Sequence, residues 1–267
     1  MTEIDCPRLA SQLVQTAHQA GRCILSYYGH ASVELKDDRS PVTAADREAD
    51  AIIVESLKRI APGVPVVSEE SSPAPDIEAE TRFFLVDPLD GTREFIHQRE
   101  EFTVNIAVIE DRAPCFGLVY APAASKLYVT LARDQAIMAR LDAAGPAPDF
   151  ADMDFTPIAT RTPPSAGLIA AISRSHLDAE TESFLADNNI VQTHASGSSL
   201  KFCCLAEGRA DVYPRFGRTM EWDTAAGHAV LSAAGGTVLN VDGTAFIYGK
   251  RLENFANPGF IAWGRAP

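Results

Sequence analysis

The chain has 267 residues, 46% of them hydrophobic, and a formal net charge of −13. That length supports one large domain or two lobes with a sizeable core, and no apolar run approaches the roughly 20 residues that a membrane span needs. Such an acidic surface repels nucleic-acid polymers and anionic membranes. It would also repel a small phosphorylated substrate unless bound metal reversed the sign locally, so part of the excess acid is a candidate ligand set; solubility is the alternative reading.

The N-terminus MTEIDCPRLA has neither a basic n-region nor an apolar h-region. Residues Arg8 to Tyr28 carry apolar side chains at helical spacing (Leu9, Leu13, Ala17, Ala20, Ile24). A second helix is predicted from Thr43-Ala44-Ala45-Asp46, which has the spacing of a capping box, to about Ile60. Val64 to Ser68 reads as a strand ending at Glu69-Glu70, and the polar Ser71 to Glu80 segment as a loop. The run Phe83 to Val86 is a buried strand that leads straight into Asp87-Pro88-Leu89-Asp90-Gly91-Thr92, followed by a short helix from Thr92 to His97. Strands at 102–110, 115–120, 126–132 and 135–140 suggest an antiparallel sheet. The Pro-, Ala- and Asp-rich stretch Asp142 to Pro164 suggests a boundary, giving an α+β lobe over 1–155 and an α/β lobe over 156–267. In the second lobe strands at 167–173, 190–194, 210–213, 237–241 and 260–263 alternate with helices at 175–188, 198–207 and 222–234. Five cysteines (Cys6, Cys23, Cys115, Cys203, Cys204) without CxxC spacing predict free thiols in a reducing cytoplasm rather than a disulfide framework or a zinc site.

Two carboxylates leaving a buried strand three residues apart repel each other and lose water, so Asp87 and Asp90 call for a cation. Gly91 lets the backbone turn, and the free N–H groups at the start of the following helix suit a phosphate. Read alone, the hexapeptide serves equally as a tight turn. Three places, however, share the feature of acids where an element begins or ends: Glu69-Glu70, Asp87 with Asp90, and Asp223. Hard cations such as Mg²⁺ take oxygen ligands, and two ions about 3.5–4 Å apart can share a carboxylate, one activating water and the other stabilising the leaving oxygen. Asp223 alone would cap its helix, and Asp46 alone would favour the helix macrodipole.

Ser68-Glu69-Glu70-Ser71, Asp87-Pro88-Leu89-Asp90-Gly91-Thr92 and Trp222-Asp223-Thr224-Ala225-Ala226-Gly227, in that order, resemble the signature of the lithium-sensitive, magnesium-dependent phosphatases of the inositol monophosphatase superfamily. The likeness runs from Pro41-Val42-Thr43-Ala44-Ala45-Asp46 to Asn257-Pro258-Gly259-Phe260. The stretches 91–96, Ile172-Ser173-Arg174-Ser175-His176, 197–203 and Tyr213-Pro214-Arg215-Phe216-Gly217 are similar to the bacterial CysQ-type bisphosphate nucleotidase branch. The resemblance implies a layered α-β-α-β-α sugar-phosphatase-like fold of the α/β class. It implies one Mg²⁺ at Glu69, Asp87 and the Leu89 carbonyl, a second at Asp87, Asp90 and Asp223, and room for a third near Glu69. It further implies that Gly91 and Thr92 hold the scissile phosphate, that Thr92, Glu69 and Asp46 orient and deprotonate the attacking water, and that Ser173, His176, Gly197 and Lys201 contact the nucleotide. Arg215 and Arg218, just before Asp223, are candidates for a second phosphate and equally for loop cations that balance the acids.

The expected reaction is removal of the 3′-phosphate of adenosine 3′,5′-bisphosphate, or of its sulfated precursor, in the cytoplasm. Peripheral contact with the cytoplasmic face of the inner membrane stays open, as does the choice between monomer and homodimer. The alternatives are an inositol or sugar phosphate phosphatase and a non-catalytic sensor of metal or nucleotide.

Overall fold

A computed structural model describes residues 4–30, 33–35, 41–70, 77, 82–174 and 178–265. The helical periodicity of the N-terminus becomes α1 (Cys6–Tyr27), whose first turn is capped by the Asp5 side chain accepting from the Arg8 N–H. A short hairpin of β1 (Val33–Leu35) and β2 (Pro41–Thr43) leads into α2 (Ala44–Ile60). β3 (Val66–Ser68), β4 (Arg82–Asp90), α3 (Thr92–Ile96), β5 (Thr103–Glu110), β6 (Ala113–Ala121), β7 (Lys126–Ala132), β8 (Gln135–Arg140) and β9 (Phe155–Ile158) follow. The strands make one seven-stranded sheet in sequence order, antiparallel except where β3 runs parallel to β4.

The boundary expected at 155/156 cuts β9, which pairs with β8 from Phe155 opposite Ala139 to Ile158 opposite Ala136. The segment has the composition of a linker, yet its end supplies an edge strand. Pro157, which has no N–H to give to a further neighbour, is tolerated there. The first sheet therefore ends after Ile158.

Beyond it come β10 (Leu168–Ser173), α4 (Ala179–Asp187), β11 (Ile190–Ser196), α5 (Leu200–Ala206), β12 (Val212–Arg215), β13 (Thr219–Met220), α6 (Glu221–Ala233), β14 (Thr237–Asn240), β15 (Ala256–Asn257) and β16 (Phe260–Trp263). Five of these strands form a mixed sheet in the order β11-β10-β12-β16-β14, and β13 pairs with β15. The helix expected from Ser175 begins at Ala179, with the Asp178 side chain accepting from the Thr181 N–H. Ser175 itself lies outside the described residues, as does most of the 71–80 loop.

The layers follow from which faces are apolar. In β4 the run Phe83 to Val86 is buried on both sides. Phe84 and Val86 pack with Leu13, Ala17, Ile53 and Leu57 of α1 and α2, whereas Phe83 and Leu85 pack on the opposite side with residues of α5, α6 and the second sheet. In β16, Phe260 stacks at 5.7 Å on Phe202 of α5, while Trp263, on the other face, meets Phe184 of α4 at 6.3 Å. The order is helices, sheet, helices, sheet, helix, the α-β-α-β-α layering of the α/β class expected from the sequence. Helix α6 reaches the first sheet because Gly117 of β6 has no side chain. A Cβ there would lie 2.3 Å from the Ala226 carbonyl oxygen and 2.8 Å from the Ala229 Cβ. No helix among the described residues is long and apolar enough to cross a membrane, and all five cysteines are free thiols.

Candidate active site

Parallel pairing places Ser68 opposite Val86, so Glu69 leaves β3 just where Asp87 is reached on β4, and the Glu69 N–H donates to the Val86 carbonyl at 3.1 Å. Next comes an irregularity in β4. Asp87 pairs with Asn105 and Asp90 with Thr103, so β4 has one residue too many between them, around Pro88 and Leu89. Side chains on a strand alternate, and residues three apart should face opposite ways. The extra residue cancels one alternation, which brings Asp87 and Asp90 to the same side and sends Leu89 into the core under α1 and α2. Gly91 then turns the chain at φ 92° into α3, a backbone that favours glycine.

Asp46 occupies the third position of α2. Its Oδ2 accepts from the Thr43 N–H (2.8 Å) and hydroxyl (2.6 Å), which closes the cap, and its Oδ1 lies 3.2 Å from the Thr92 hydroxyl. The same hydroxyl stands 3.2 Å from the Leu89 carbonyl. Asp223 occupies the equivalent position of α6 and accepts from the Met220 N–H at 2.8 Å. Both acids thus satisfy their helix ends with one oxygen and present the other. Asp87 likewise spends Oδ1 on the Leu89 N–H at 3.0 Å.

Asp90 is held from the second half of the chain. Its Oδ2 is met by the Ser198 hydroxyl (2.6 Å), the Ser199 N–H (2.8 Å) and hydroxyl (3.1 Å), and the Asn105 amide (3.2 Å). The Ser199 hydroxyl is also 2.8 Å from the Asp223 carbonyl oxygen. Ser199 therefore links Asp90 to Asp223, an acid from the other half of the chain.

The electrostatics are strained. Asp87 is 1% exposed. Burial pushes its carboxyl well above the usual range, and the charges of Glu69, Asp90, Asp223 and Asp46 push it further. Asp223 is raised too, by burial and then by Asp90 and Glu69, against the opposing Met220 N–H. Burial raises Asp46, opposed by the hydrogen bonds from Thr43 and Thr92. Among the described residues no three His, Cys, Asp or Glu side chains already close on one point as a finished metal cage does. The acids nevertheless surround each other within interaction range, offer oxygen donors and carry unbalanced charge. Those are the conditions a hard divalent cation satisfies.

Above them opens a cleft of 230 Å³, whose lining includes Glu69, Asp90, Gly91, Thr92 and Asp223 together with Ser173, Gly197, Lys201, Tyr213 and Arg215. Asp46, Asp87 and Leu89 lie beneath its floor, buried. Lys201 is 5% exposed and donates to the Ser196 (3.3 Å) and Ser198 (2.7 Å) carbonyls, with its ammonium 5.3 Å from the centre of the Tyr213 ring. Burial pulls its pKa down to about 8, with Asp90 opposing the shift. It thus forms the cleft wall and braces its own turn. Arg215 donates through Nη2 to the Arg218 carbonyl at 3.3 Å, and its buried Nε has no partner. Arg218 is exposed and does not line the cleft. His176 lies outside the described residues. Sequence reasoning missed Asn105 and gave no role to Ser198 and Ser199, although both lie in the 197–203 stretch that it singled out. Ser198 is a serine at φ 53°, a rare conformation at a serine, and no local pattern announced it.

A β-bulge that aims two acids one way, a left-handed turn before a short helix and a third acid on a helix start define a phosphoryl-handling class of fold and site. A sequence profile of the Inositol monophosphatase family matches residues 7–264, and the chain belongs to that family. Among individual relatives it is similar to the 3′(2′),5′-bisphosphate nucleotidase CysQ of Escherichia coli K12, 43% identical over 256 residues covering 94% of this chain and 98% of the relative. The CysQ of Buchnera aphidicola is 38% identical, covering 96% and 93%. The crystal structure of CysQ from Bacteroides thetaiotaomicron, a bacterial member of the inositol monophosphatase family, superposes with a TM-score of 0.81 at 37% identity over 97% of this chain and 98% of that one. A staphylococcal inositol monophosphatase soaked in lithium chloride shares the fold at a TM-score of 0.78 and 20% identity, covering 99% and 93%.

Proposed function

We propose that the protein is a Mg²⁺-dependent phosphatase that removes the 3′-phosphate of adenosine 3′,5′-bisphosphate, giving AMP and phosphate. The carrying observation is that a single cleft gathers both kinds of charge: the acids Glu69, Asp90 and Asp223, which act on buried Asp87, and the cations Lys201 and Arg215. A phosphate substrate that bears a second anionic group suits a cleft that offers both oxygen ligands for divalent cations and cations of its own. The relatives named as bisphosphate nucleotidases, alike over nearly the whole chain, support the same reading.

Glu69, Asp87 and the Leu89 carbonyl would hold one cation and Asp87, Asp90 and Asp223 a second, with Glu69 next to a third position. Bound there, the ions supply charge neutralisation of the phosphoryl group and a lowered pKa for the attacking water. The protein's own residues do the rest. The backbone N–H groups after Gly91 orient the scissile phosphate at the start of α3. The Thr92 hydroxyl, by donating to Asp46 Oδ1, keeps its lone pairs for a water proton, and Asp46, raised by burial, accepts the proton that Thr92 passes on. Glu69 would orient the same water together with Thr92. Arg215, a cation on the cleft lining, takes the second phosphate through its guanidinium. Ser173 and Gly197, which line the cleft, contact the nucleoside, and His176, outside the described residues, is assigned the same role from the family resemblance alone. The sulfated precursor carries the same 3′-phosphate and is accepted as well.

Replacing Asp90 by Asn tests the assignment. Phosphate release should fall by about three orders of magnitude, an electrostatic loss on the scale of a removed transition-state interaction. Retained turnover would overturn the metal roles.

A further inference from the structure

We propose that Arg174 and Glu101 form a latch between the two halves of the chain that positions the Gly197 turn, making them positioning residues for the nucleoside end of the substrate; this rests on the nucleotidase reading above. Glu101 lies between α3 and β5 in the first half of the chain, and Arg174 follows β10 in the second. The guanidinium grips the carboxylate in a two-pronged fork, Nε to Oε2 at 2.8 Å and Nη2 to Oε1 at 2.8 Å. Nη2 also donates to the Ala195 carbonyl at 3.1 Å, which ties in the end of β11 just before Gly197.

Glu101 touches both turns of the cleft. Its carbonyl oxygen would lie 3.1 Å from a Cβ placed on Gly91 and 2.7 Å from one placed on Gly197. The phosphate-holding turn and the nucleoside-side turn therefore close on the same peptide. Beneath, Lys201 holds the Ser196 and Ser198 carbonyls, and the Ser198 hydroxyl holds Asp90. The latch secures the remaining outer side of a turn whose Ser198 has φ 53°, a conformation that persists only when its surroundings enforce it.

Ion pairs this exposed (side chains 42% and 24%) usually add little to global stability. Here the fork geometry and the carbonyl contact fix orientation, and the consequence falls on binding. Since Asp90 keeps the Asn105 amide and Lys201 still braces the Ser198 carbonyl, loosening the latch should fall on bisphosphate binding more than on the chemistry.

Arg174→Ala, Arg174→Lys and Glu101→Gln test this with two substrates, adenosine 3′,5′-bisphosphate and a small aryl phosphate that reaches only the acid end. For Arg174→Ala the KM of the bisphosphate should rise roughly tenfold with kcat within about twofold, a scale set by coupling between contacting residues. The kcat/KM of the aryl phosphate should change by less than about twofold on the same scale. Arg174→Lys should recover only part of the loss, because an ammonium cannot make the fork. Amide hydrogen exchange across 195–199 should quicken in Arg174→Ala and Glu101→Gln. Equal losses on both substrates, or unchanged exchange at 195–199, would overturn the latch. A wild-type protein that ignores the bisphosphate overturns the nucleotidase reading instead, and the exchange measurement then still decides whether the latch exists.

Discussion

Asp87 illustrates at the residue scale how a site can be set against the stability of its own fold. It is 1% exposed and feels four neighbouring acids. Asp87→Asn keeps the acceptor for the Leu89 N–H and removes the repulsion. In chelator the variant should therefore melt higher than the wild type, by on the order of 1 kcal/mol. With Mg²⁺ added, the wild type alone should gain stability in a thermal melt, since only a ligand bound to the native state shifts unfolding. A chelator-treated variant that melts lower than the wild type would contradict the account. His228 behaves differently. It is buried against the Tyr248 hydroxyl at 3.0 Å, and burial lowers its pKa from 6.5 to about 3. Because the folded pKa is depressed, stability is complete above the unfolded pKa and declines as pH falls between these values, at roughly 1.4 kcal/mol per unit at most. Urea titrations at pH 7, 6 and 5 should show a shallower decline for His228→Gln than for the wild type. The sequence made Asp87, Asp90 and Asp223 legible because an acid at an element's end is a local pattern. Asn105 and Ser199, which anchor Asp90 across 15 and 109 positions, were illegible because nothing local encodes a contact at that separation.

Among elements, α6 carries the most. Its start presents Asp223, and its body lies on β5 and β6 and against α5. Two close approaches allow this: Gly117 against the Ala226 carbonyl, and Gly227, where a Cβ would lie 2.5 Å from a ring carbon of Phe202. Gly117→Ala meets backbone at 2.3 Å, so α6 must move. An overpacking cost of about 1–3 kcal/mol is expected, with a lower Mg²⁺ affinity because Asp223 shifts away from Asp90. Denaturant melts and Mg²⁺ titration calorimetry read the two effects, and an unchanged Mg²⁺ affinity would show that helix position does not govern the site. Most element types were readable from periodicity: α1, α2, β7, β8 and β16 fall where apolar spacing placed them. The β4 bulge was not, since Asp-Pro-Leu-Asp reads equally as a turn. Only the pairing with Asn105 and Thr103 reveals the extra residue. Nor was β9, because a Pro- and Ala-rich stretch resembles a linker until an edge strand is found in it.

For the whole molecule, the two halves meet in a cleft whose acids come mainly from the first, with Lys201 and Arg215 added by the second. Neither half alone is a site, since Ser198 and Ser199 of the second hold Asp90 of the first. A monovalent cation such as Li⁺ that enters an acid position with less charge should inhibit at millimolar concentration, and activity that is indifferent to lithium would count against that electrostatic account. The most direct test is phosphate release with Mg²⁺ from adenosine 3′,5′-bisphosphate, inositol monophosphate and fructose bisphosphate side by side. The account predicts the highest kcat/KM on the adenosine compound and loss of all turnover on chelation. Equal or better turnover of inositol monophosphate would contradict it.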